Sequence, residues 1–300
     1  MSNDKSLIFV TGATGNVGRQ VVSQLLAAGH RVRTLTRNPD SARMPREVEV
    51  LRGDLSQPET LDRQLEGVKA AFLLWRLPTT DPAPAVVDRL AKRVQRIVFL
   101  SSISVRDDAE DETNRIAKLH RDIERTIEQS GVEWTFLRPG WFATNALMWW
   151  APQIRSGDIV RWPYAAAQLA PIHEQDIAAV AVHALTEEGH HGGKYRLTGP
   201  ESLTFAEQVR TIGQAIGRTL QFDETSPETA RDQLLALMPP FIVDLLLSAW
   251  AGLVNQPAEI TTTVTEVTGR PAKTFRDWAR DHAADFQAAT QASDAALSRQ

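Results

Sequence analysis

The chain contains no cysteine, an absence that removes disulfide bridges, thiolate metal sites and thiol catalysis together. Basic residues are not in excess: 33 Lys and Arg stand against 37 Asp and Glu, a formal net charge of −4, with no basic stripe. Nucleic acid is therefore not an expected partner. No apolar run reaches the length of a membrane span, since the most apolar stretch, 241–250, is short and carries Asp244. With no signal peptide before the first strand, we expect a cytoplasmic protein without a membrane partner.

The most informative stretch lies near the amino terminus, where four apolar residues run into three glycines spaced three apart. A helical pattern at 20–28 follows, which gives the order strand, glycine turn and helix that a dinucleotide site requires. Gly12 would make the tight turn, Gly15 would let the backbone approach a pyrophosphate, and Gly18 would let the helix pack closely on the strand. The alternative is an ordinary strand-to-helix turn. The predicted pyrophosphate contacts are Gly12, Thr14, Gly15, Asn16 and Val17.

Strand and helix signals alternate through the first half of the chain, a pattern typical of a parallel sheet covered on both faces. We therefore predict an α/β fold: a Rossmann doubly wound parallel sheet with a smaller, mostly helical C-terminal substrate lobe. Predicted strands are 7–10, 31–35, 49–52, 71–74, 96–100 and 133–137, and the predicted helices between them are 20–28, 59–65, 85–95 and 115–129. The expected division is a core of 1–140 completed by about 171–198, a lobe of 141–170 and 199–286, and a flexible tail of 287–300.

The end of the second strand bears on which nicotinamide cofactor to expect. An acidic residue there would accept the ribose 2′-hydroxyl of NAD, but the strand ends in Thr36 and Arg37. The guanidinium of Arg37 offers a fork of donors suited to a 2′-phosphate, so we expect NADP(H) to be preferred over NAD(H). The alternative is a solvated arginine in a loop.

Other strand ends complete the predicted cofactor site. Asp54 follows the third strand, where its carboxylate would accept the exocyclic amine of adenine, or would close a turn. Pro139 and Gly140 end the sixth strand, where the backbone would meet the nicotinamide amide. The remaining predicted contacts are Leu55, Leu74, Trp75, Ser101 and Ser102.

Aromatic residues crowd the segment that follows residue 140, and they bear on the substrate. Such rings stack on flat π-systems, and we predict that they line a pocket for a small aromatic molecule. The alternative is that they close a second hydrophobic core. The residues of this prediction are Trp141, Phe142, Trp149, Trp150 and Trp162.

At these residues the chain resembles the NmrA-like group of extended, atypical short-chain dehydrogenases/reductases. The matching stretches are 11–18, Arg37, 53–55, 118–142, 171–178 and 195–199, so the similarity runs to about residue 286. That group includes quinone reductases, triphenylmethane dye reductases, nitrogen-regulatory redox sensors and tailoring proteins of aromatic polyketide pathways. The resemblance implies the fold and an NAD(P) cofactor, whereas these motifs specify the substrate poorly.

One departure from that family concerns proton transfer. Better-known members carry a tyrosine four residues before a lysine, and the tyrosine exchanges the proton that accompanies hydride transfer. This chain has two tyrosines, Tyr164 and Tyr195, and neither precedes a lysine at that spacing. The residues in the neighbourhood of the missing pair are Lys118, His120 and Glu124. Interconversion of simple alcohols and ketones is therefore disfavoured.

Three residues are candidates for the missing acid chemistry. His120 and Glu124 share a helix face, so the carboxylate would orient the imidazole or raise its pKa, and His120 would protonate an acceptor as hydride arrives. The resemblance implies that quinone and dye reductases carry His and Glu at this spacing. The alternative is a surface pair or a structural tie. Tyr164 is a second candidate acid or an aromatic wall, and Lys118 is predicted near the nicotinamide ribose.

Two functions of different class follow from these residues. The first is an NAD(P)H-dependent oxidoreductase that transfers hydride to a quinone or polycyclic aromatic, including a tailoring step on an aromatic polyketide. The second is a non-enzymatic redox sensor that distinguishes the two oxidation states of NAD(P) and regulates a protein partner. No three-ligand metal set is evident, and we expect no metal. The oligomeric state stays open at this point.

Overall fold

The computed structural model describes residues 5–108 and 114–287. Its strands are β1 (Leu7–Val10), β2 (Arg31–Thr36), β3 (Glu49–Arg52), β4 (Ala70–Leu74), β5 (Arg96–Leu100), β6 (Glu133–Pro139), β7 (Ile159–Trp162), β8 (Gln168–Leu169), β9 (Gly193–Leu197), β10 (Leu203–Thr204) and β11 (Gln221–Glu224). Its α-helices are α1 (Asn16–Ala27), α2 (Ala83–Ala91), α3 (Arg115–Gln129), α4 (Asn145–Trp149), α5 (Ala151–Ser156), α6 (Glu174–Thr186), α7 (Phe205–Ile216), α8 (Pro227–Leu235), α9 (Pro240–Gly252), α10 (Thr263–Thr268) and α11 (Phe275–Asp281).

The main sheet is parallel and has the order β3-β2-β1-β4-β5-β6-β9. This is the doubly wound order in which the strand sequence reverses beside β1, and a ligand crevice is expected outside the carboxyl ends of the strands there. In register, Val10 of β1 lies beside Thr34 of β2 and Phe72 of β4, so the three strands end at one edge. The predicted Rossmann sheet is therefore confirmed.

Contacts between residues divide the chain into two compact units. The first comprises Met1–Phe142, Ile172–Thr198 and Thr261–Ala272, and the second comprises Ala143–Pro171, Gly199–Ile260 and Lys273–Gln300. The sequence predicts that 261–272 belongs to the smaller lobe. Instead α10 contacts α6 and β9, which puts it in the first unit. The predicted tail lies outside the described residues from 288 onward.

Two apolar cores cover the main sheet of the first unit. Alternate residues of β4 belong to opposite cores, because side chains alternate between the faces of a strand. Ala70 and Phe72 pack with residues of α1, α6 and α10, whereas Ala71 and Leu73 pack with residues of α2 and α3. The helix predicted at 59–65 is only a 3-10 turn, Pro58–Leu61, with proline at its start.

The second unit has a core built from aromatic rings. Its strands form two short pairs, β7 with β11 in parallel and β8 with β10 antiparallel. Ring centroids within this cluster lie 5.2 to 6.3 Å apart, mostly in edge-to-face arrangements that suit aromatic quadrupoles. The buried rings are Trp149, Trp150, Trp162, Phe205 and Trp250. Among the described residues, no helix has the length and apolar character that crossing a membrane demands.

Candidate cofactor site

The glycine turn between β1 and α1 depends on two close approaches. Gly12 has φ of +65°, a backbone conformation that glycine adopts without strain, and its carbonyl accepts the Gly15 N–H at 3.0 Å. A Cβ on Gly18 would lie only 2.2 Å from the Gly12 carbonyl oxygen, so this position must be glycine for α1 to pack on the turn. Gly15 caps α1 without a side-chain hydrogen bond, and no acidic residue lies in the first turn. The amino end of α1 therefore keeps the positive dipole that favours phosphate.

Thr11, which the sequence analysis did not single out, fixes the glycine turn against β4. It is buried, and its Oγ1 accepts the Leu74 N–H at 2.7 Å and lies 3.2 Å from the Leu74 carbonyl oxygen. The Leu74 side chain in turn lies 3.1 Å from the place of a Cβ on Gly12. The sequence does contain a sign of this role, because a hydroxyl side chain directly before the first glycine is placed to form a hydrogen bond with the neighbouring strand.

A groove of about 490 Å³ lies at the carboxyl ends of β1 to β4. From the predicted site it brings together Gly12, Thr14, Arg37, Asp54, Leu55 and Leu74. It adds residues that the sequence analysis missed: Thr11, Leu35, Thr36, Gly53, Arg76 and Leu77. A second groove of about 710 Å³ shares Arg37, Gly53 and Asp54 with the first, and its further charged residues are Arg52, Glu59, Asp62 and Arg63. A site with this shape and position suits the adenosine half of a dinucleotide.

Asp54 is held in a turn at the edge of this groove. Its Oδ1 accepts the Ser56 N–H at 2.9 Å, and its own N–H donates to Thr60 Oγ1 at 3.1 Å. The turn interpretation of Asp54 is therefore observed, and its role toward adenine stays a proposal. The preceding Gly53 is required sterically, because a Cβ there would lie 2.3 Å from Leu35 Cδ1.

Trp75 does not face the groove, so its predicted cofactor contact is wrong. Its indole is buried in the core beneath α2 and α3, and its Nε1 donates to the Thr79 carbonyl at 3.0 Å. The reason is strand alternation: Leu74 faces the glycine turn, so its neighbour faces the opposite core.

Backbone hydrogen bonds hold the segments that follow β5 and β6 in place. The Pro139 carbonyl accepts the Ile103 N–H at 3.0 Å, and the Gly140 N–H donates to the Leu197 carbonyl at 2.8 Å. The Gly140 N–H is thus already engaged within the protein, and the predicted contact of this backbone with the nicotinamide amide stays a prediction. Ser101 Oγ is buried and has no hydrogen-bond partner among the described residues, whereas Ser102 Oγ accepts the Ser104 N–H at 3.2 Å.

His120 lies largely buried on α3, with its ring 6.0 Å from that of Phe99. Its Nδ1 is 2.8 Å from the Ile116 carbonyl oxygen, so Nδ1 carries the proton and Nε2 offers a lone pair in the neutral ring. Burial lowers the pKa of His120, and this outweighs the opposing effects of the Ile116 carbonyl and the charge of Glu124. At neutral pH the ring is therefore an acceptor, not the proton donor that we expected. Lys118 is exposed, with its Nζ 3.5 Å from Asp122.

Glu124 serves a structural role, which corrects its predicted partnership with His120. Its two carboxylate oxygens bind Arg138 Nε at 3.0 Å and Nη2 at 2.6 Å, and both side chains are 3% exposed. Arg138 also binds both oxygens of Asp107 at 3.0 Å, and Lys194 Nζ lies 3.0 Å from Asp107. Hydrogen bonds from Arg138 lower the pKa of Asp107 to about 2, although partial burial opposes this. The cluster ties α3, β6, β9 and the segment after β5 together.

The predicted aromatic pocket residues fall in two places. Trp141 and Phe142 follow β6 in the first unit, where the Trp141 carbonyl accepts the Ile172 N–H at 2.8 Å and Phe142 packs on the core. Trp149, Trp150 and Trp162 are at most 5% exposed inside the second unit, so other rings already cover their faces. For these three the alternative of a second core is correct.

Tyr164 is the second residue predicted to act as an acid. Tyr164, in the second unit, is half-buried with φ of +57°, and its carbonyl accepts the Ala167 N–H at 2.9 Å. Its role as an acid stays a prediction.

Within residues 5–108 and 114–287, no group of three His, Asp or Glu side chains is arranged to hold a metal ion.

Comparison with known proteins agrees with this site. A family model described as NAD(P)H-binding matches residues 12–188. The (4-alkanoyl-5-oxo-2,5-dihydrofuran-3-yl)methyl phosphate reductase of Streptomyces griseus is 42% identical, over 93% of this chain and 99% of the relative. The NAD(P)H azoreductase of Xenophilus azovorans is 33% identical, over 94% of this chain and 100% of the relative.

Solved structures show the same fold at lower identity. The NADPH complex of an Escherichia coli NADPH-dependent quinone oxidoreductase has a TM-score of 0.75 at 22% identity, covering 91% of this chain and 99% of that one. The NADP(H) complex of the Citrobacter triphenylmethane reductase has a TM-score of 0.76 at 21% identity, covering 92% and 99%.

The fold and the glycine groove together define an NAD(P)-binding protein of the doubly wound class. The chain belongs to the NAD(P)H-binding family whose model spans residues 12–188. The predicted resemblance to NmrA-like, atypical short-chain dehydrogenases/reductases is confirmed, and so is the class of NAD(P)H-dependent oxidoreductase.

Proposed function

We propose that the protein is an NADPH-dependent reductase of conjugated, electron-poor acceptors, with quinones and polycyclic aromatics as the first substrate class. A reduced nicotinamide held in the groove would supply the hydride, with its two electrons, to the acceptor, and a proton from solvent would complete the reduced product. The observation that carries the proposal is the glycine groove at the ends of β1 to β4, in a chain that belongs to the NAD(P)H-binding family.

The lack of a well-placed proton donor in the described part of this chain supports quinones as the class of acceptor. The chain lacks the tyrosine–lysine pair, and burial lowers the pKa of His120, so that its ring is neutral with the Nδ1 proton directed to the Ile116 carbonyl. A quinone delocalises the negative charge that arrives with hydride, so its reduction depends less on a positioned acid than that of an isolated ketone. Two relatives are named for the reduction of azo compounds and of quinones, and both kinds of acceptor delocalise charge in this way.

Turnover of such acceptors tests the proposal directly. Purified protein with NADPH and a panel of benzoquinones, naphthoquinones and anthraquinones is expected to oxidise the cofactor well above the rate without protein. The measurement is loss of the absorbance of reduced nicotinamide under anaerobic conditions. No turnover across the panel, combined with strong discrimination between NADP and NADPH in calorimetry, would instead support the redox-sensor hypothesis.

A second candidate substrate class is favoured by the relative at 42% identity, whose name describes a phosphorylated unsaturated lactone. Its ring double bond is conjugated with a carbonyl, so hydride adds by the same chemistry and the charge again delocalises. A phosphorylated butenolide therefore belongs in the same assay. Faster turnover of the butenolide than of every quinone would assign the enzyme to this second class.

Arg37 is proposed to select NADPH through the 2′-phosphate. It is exposed, lines both grooves at the end of β2 and contacts no carboxylate among the described residues. We expect Arg37→Ala to raise the Kd for NADPH about tenfold or more and to leave the Kd for NADH nearly unchanged.

The matched control is Arg43→Ala, which removes an exposed arginine from the same loop outside both grooves. Isothermal titration calorimetry measures both constants. An equal effect of Arg37→Ala on the two cofactors would remove this assignment.

A further inference from the structure

The segment after β4 brings a second arginine to the glycine turn. The Leu74 N–H donates to Thr11 Oγ1 at 2.7 Å, so the end of β4 lies directly against the turn. Leu74, Arg76 and Leu77 line the groove, while Trp75 between them is buried in the opposite core. Arg76 is therefore on the side of the chain that faces the glycine turn, and its side chain is exposed there.

The charges of this groove are out of balance in favour of cations. Arg37 and Arg76 supply two positive charges, and within residues 5–108 and 114–287 neither contacts a carboxylate. Asp54 is the acidic residue that lines the same groove, and one of its oxygens is engaged by the Ser56 N–H. By contrast, Arg33 on β2, the strand that Arg37 follows, is paired with Glu49 at 2.8 Å. A positive groove in a chain of net charge −4 is suited to an anionic ligand.

We propose that Arg76 binds the pyrophosphate of the cofactor, and that the two arginines divide the anionic groups of NADPH between them. Arg37 stands at the end of β2, where the 2′-phosphate is expected. Arg76 lines the groove together with Gly12 and Thr14 of the glycine turn, beside which the pyrophosphate is expected. This inference rests on the proposed NADPH-dependent function. It assigns Arg76 to affinity for both cofactors and Arg37 to discrimination between them.

The two assignments differ in a measurable way, because NADH has the pyrophosphate and lacks the 2′-phosphate. Arg76→Gln is expected to raise the Kd for NADPH and for NADH by the same factor, about tenfold. Arg76→Lys keeps the charge without the guanidinium fork and is expected to lose only part of that affinity. The matched control is Arg93→Gln, an exposed arginine beyond the end of α2 that lines neither groove.

Calorimetric titration of the full-length variants with NADPH and NADH decides the outcome. Unchanged affinity for both cofactors in Arg76→Gln overturns the proposal, and so does a loss confined to NADPH, which would place Arg76 at the 2′-phosphate. Should the glutamine variant lose its fold by circular dichroism, Arg76→Lys takes its place, with the same requirement that both cofactors weaken together. Wild-type protein that binds neither cofactor would refute the proposed function itself, a result distinct from either failure of Arg76.

Discussion

Gly18→Ala is expected to lower NADPH affinity at least about a hundredfold and to lower the Tm of the protein. The added Cβ would lie 2.2 Å from the Gly12 carbonyl oxygen and 2.7 Å from its carbonyl carbon, whereas real Cβ atoms keep at least 3.0 Å. Both clashing atoms are backbone, so no side-chain rotation relieves the contact. Either α1 moves away from β1 or the turn deforms, and in both cases the helix amides leave the pyrophosphate position.

Two other glycines make this prediction specific. At Gly15 an added Cβ would meet only the Gly12 carbonyl oxygen, at 3.3 Å, so Gly15→Ala is expected to fold normally. Gly252, the last residue of α9, has no atom within 4 Å of an added Cβ, and Gly252→Ala is expected to be neutral or slightly stabilising. Calorimetry gives the affinities and thermal unfolding gives the Tm. Wild-type values of both in Gly18→Ala would contradict the steric argument.

Most of the fold was predictable because its signals are local. The strands of the first half are short apolar runs, and the glycine spacing places the first helix, so strand order follows from general rules of α/β connection. The groove includes predicted residues that directly end a strand of the switch region, such as Arg37, Asp54 and Leu74, whose contacts with the cofactor stay predictions. Arg76 was missed because it stands two residues beyond its strand, in a segment without a motif.

The wrong predictions concern side-chain direction and distant partners. Leu74 and Trp75 are neighbours, so their side chains point to opposite faces of the sheet. Because β4 is apolar on both faces, its sequence does not reveal which of the two faces the groove. Glu124 is four residues from His120, yet its partner is Arg138, and sequence spacing says nothing about a contact between a helix and a distant strand. Trp149, Trp150 and Trp162 are close in sequence, but burial depends on the neighbours that Phe205 and Trp250 provide.

Arg138→Leu is expected to destabilise the protein by about 3–5 kcal/mol. The substitution leaves the Glu124 carboxylate, 3% exposed, without the two hydrogen bonds that now neutralise it. It also removes the two hydrogen bonds from Arg138 to Asp107, which keeps its contact with Lys194. The cost arises mainly from the stranded charge, so the double variant Glu124→Leu/Arg138→Leu is expected to recover much of the lost stability.

The matched control is Arg231→Leu, which breaks an ion pair with Asp244 of similar length, 3.0 Å, between side chains that are 43% and 57% exposed. Its expected effect on the free energy of unfolding is below about 1 kcal/mol, because solvent screens an exposed pair. Urea unfolding measures these energies, and the single variant Glu124→Leu completes the cycle that gives the coupling between Glu124 and Arg138. A double variant as unstable as the sum of its single variants would show that the pair acts independently and would contradict the argument.

The pH dependence of the free energy of unfolding identifies how much stability the pairing of Asp107 with Arg138 contributes. The pKa of Asp107 in the folded protein is about 2, below the roughly 3.9 of an unfolded chain, so its pairing stabilises the protein above about pH 4. That contribution is lost as pH falls from about 4 toward 2, because the carboxylate becomes protonated in the folded state as well. The stability difference between Glu124→Leu and Glu124→Leu/Arg138→Leu, two variants in which no Glu124 carboxylate titrates, is therefore expected to narrow across this window. A difference that stays constant from pH 5 to pH 2, within roughly the error of the unfolding measurement, would show that Asp107 contributes nothing through Arg138.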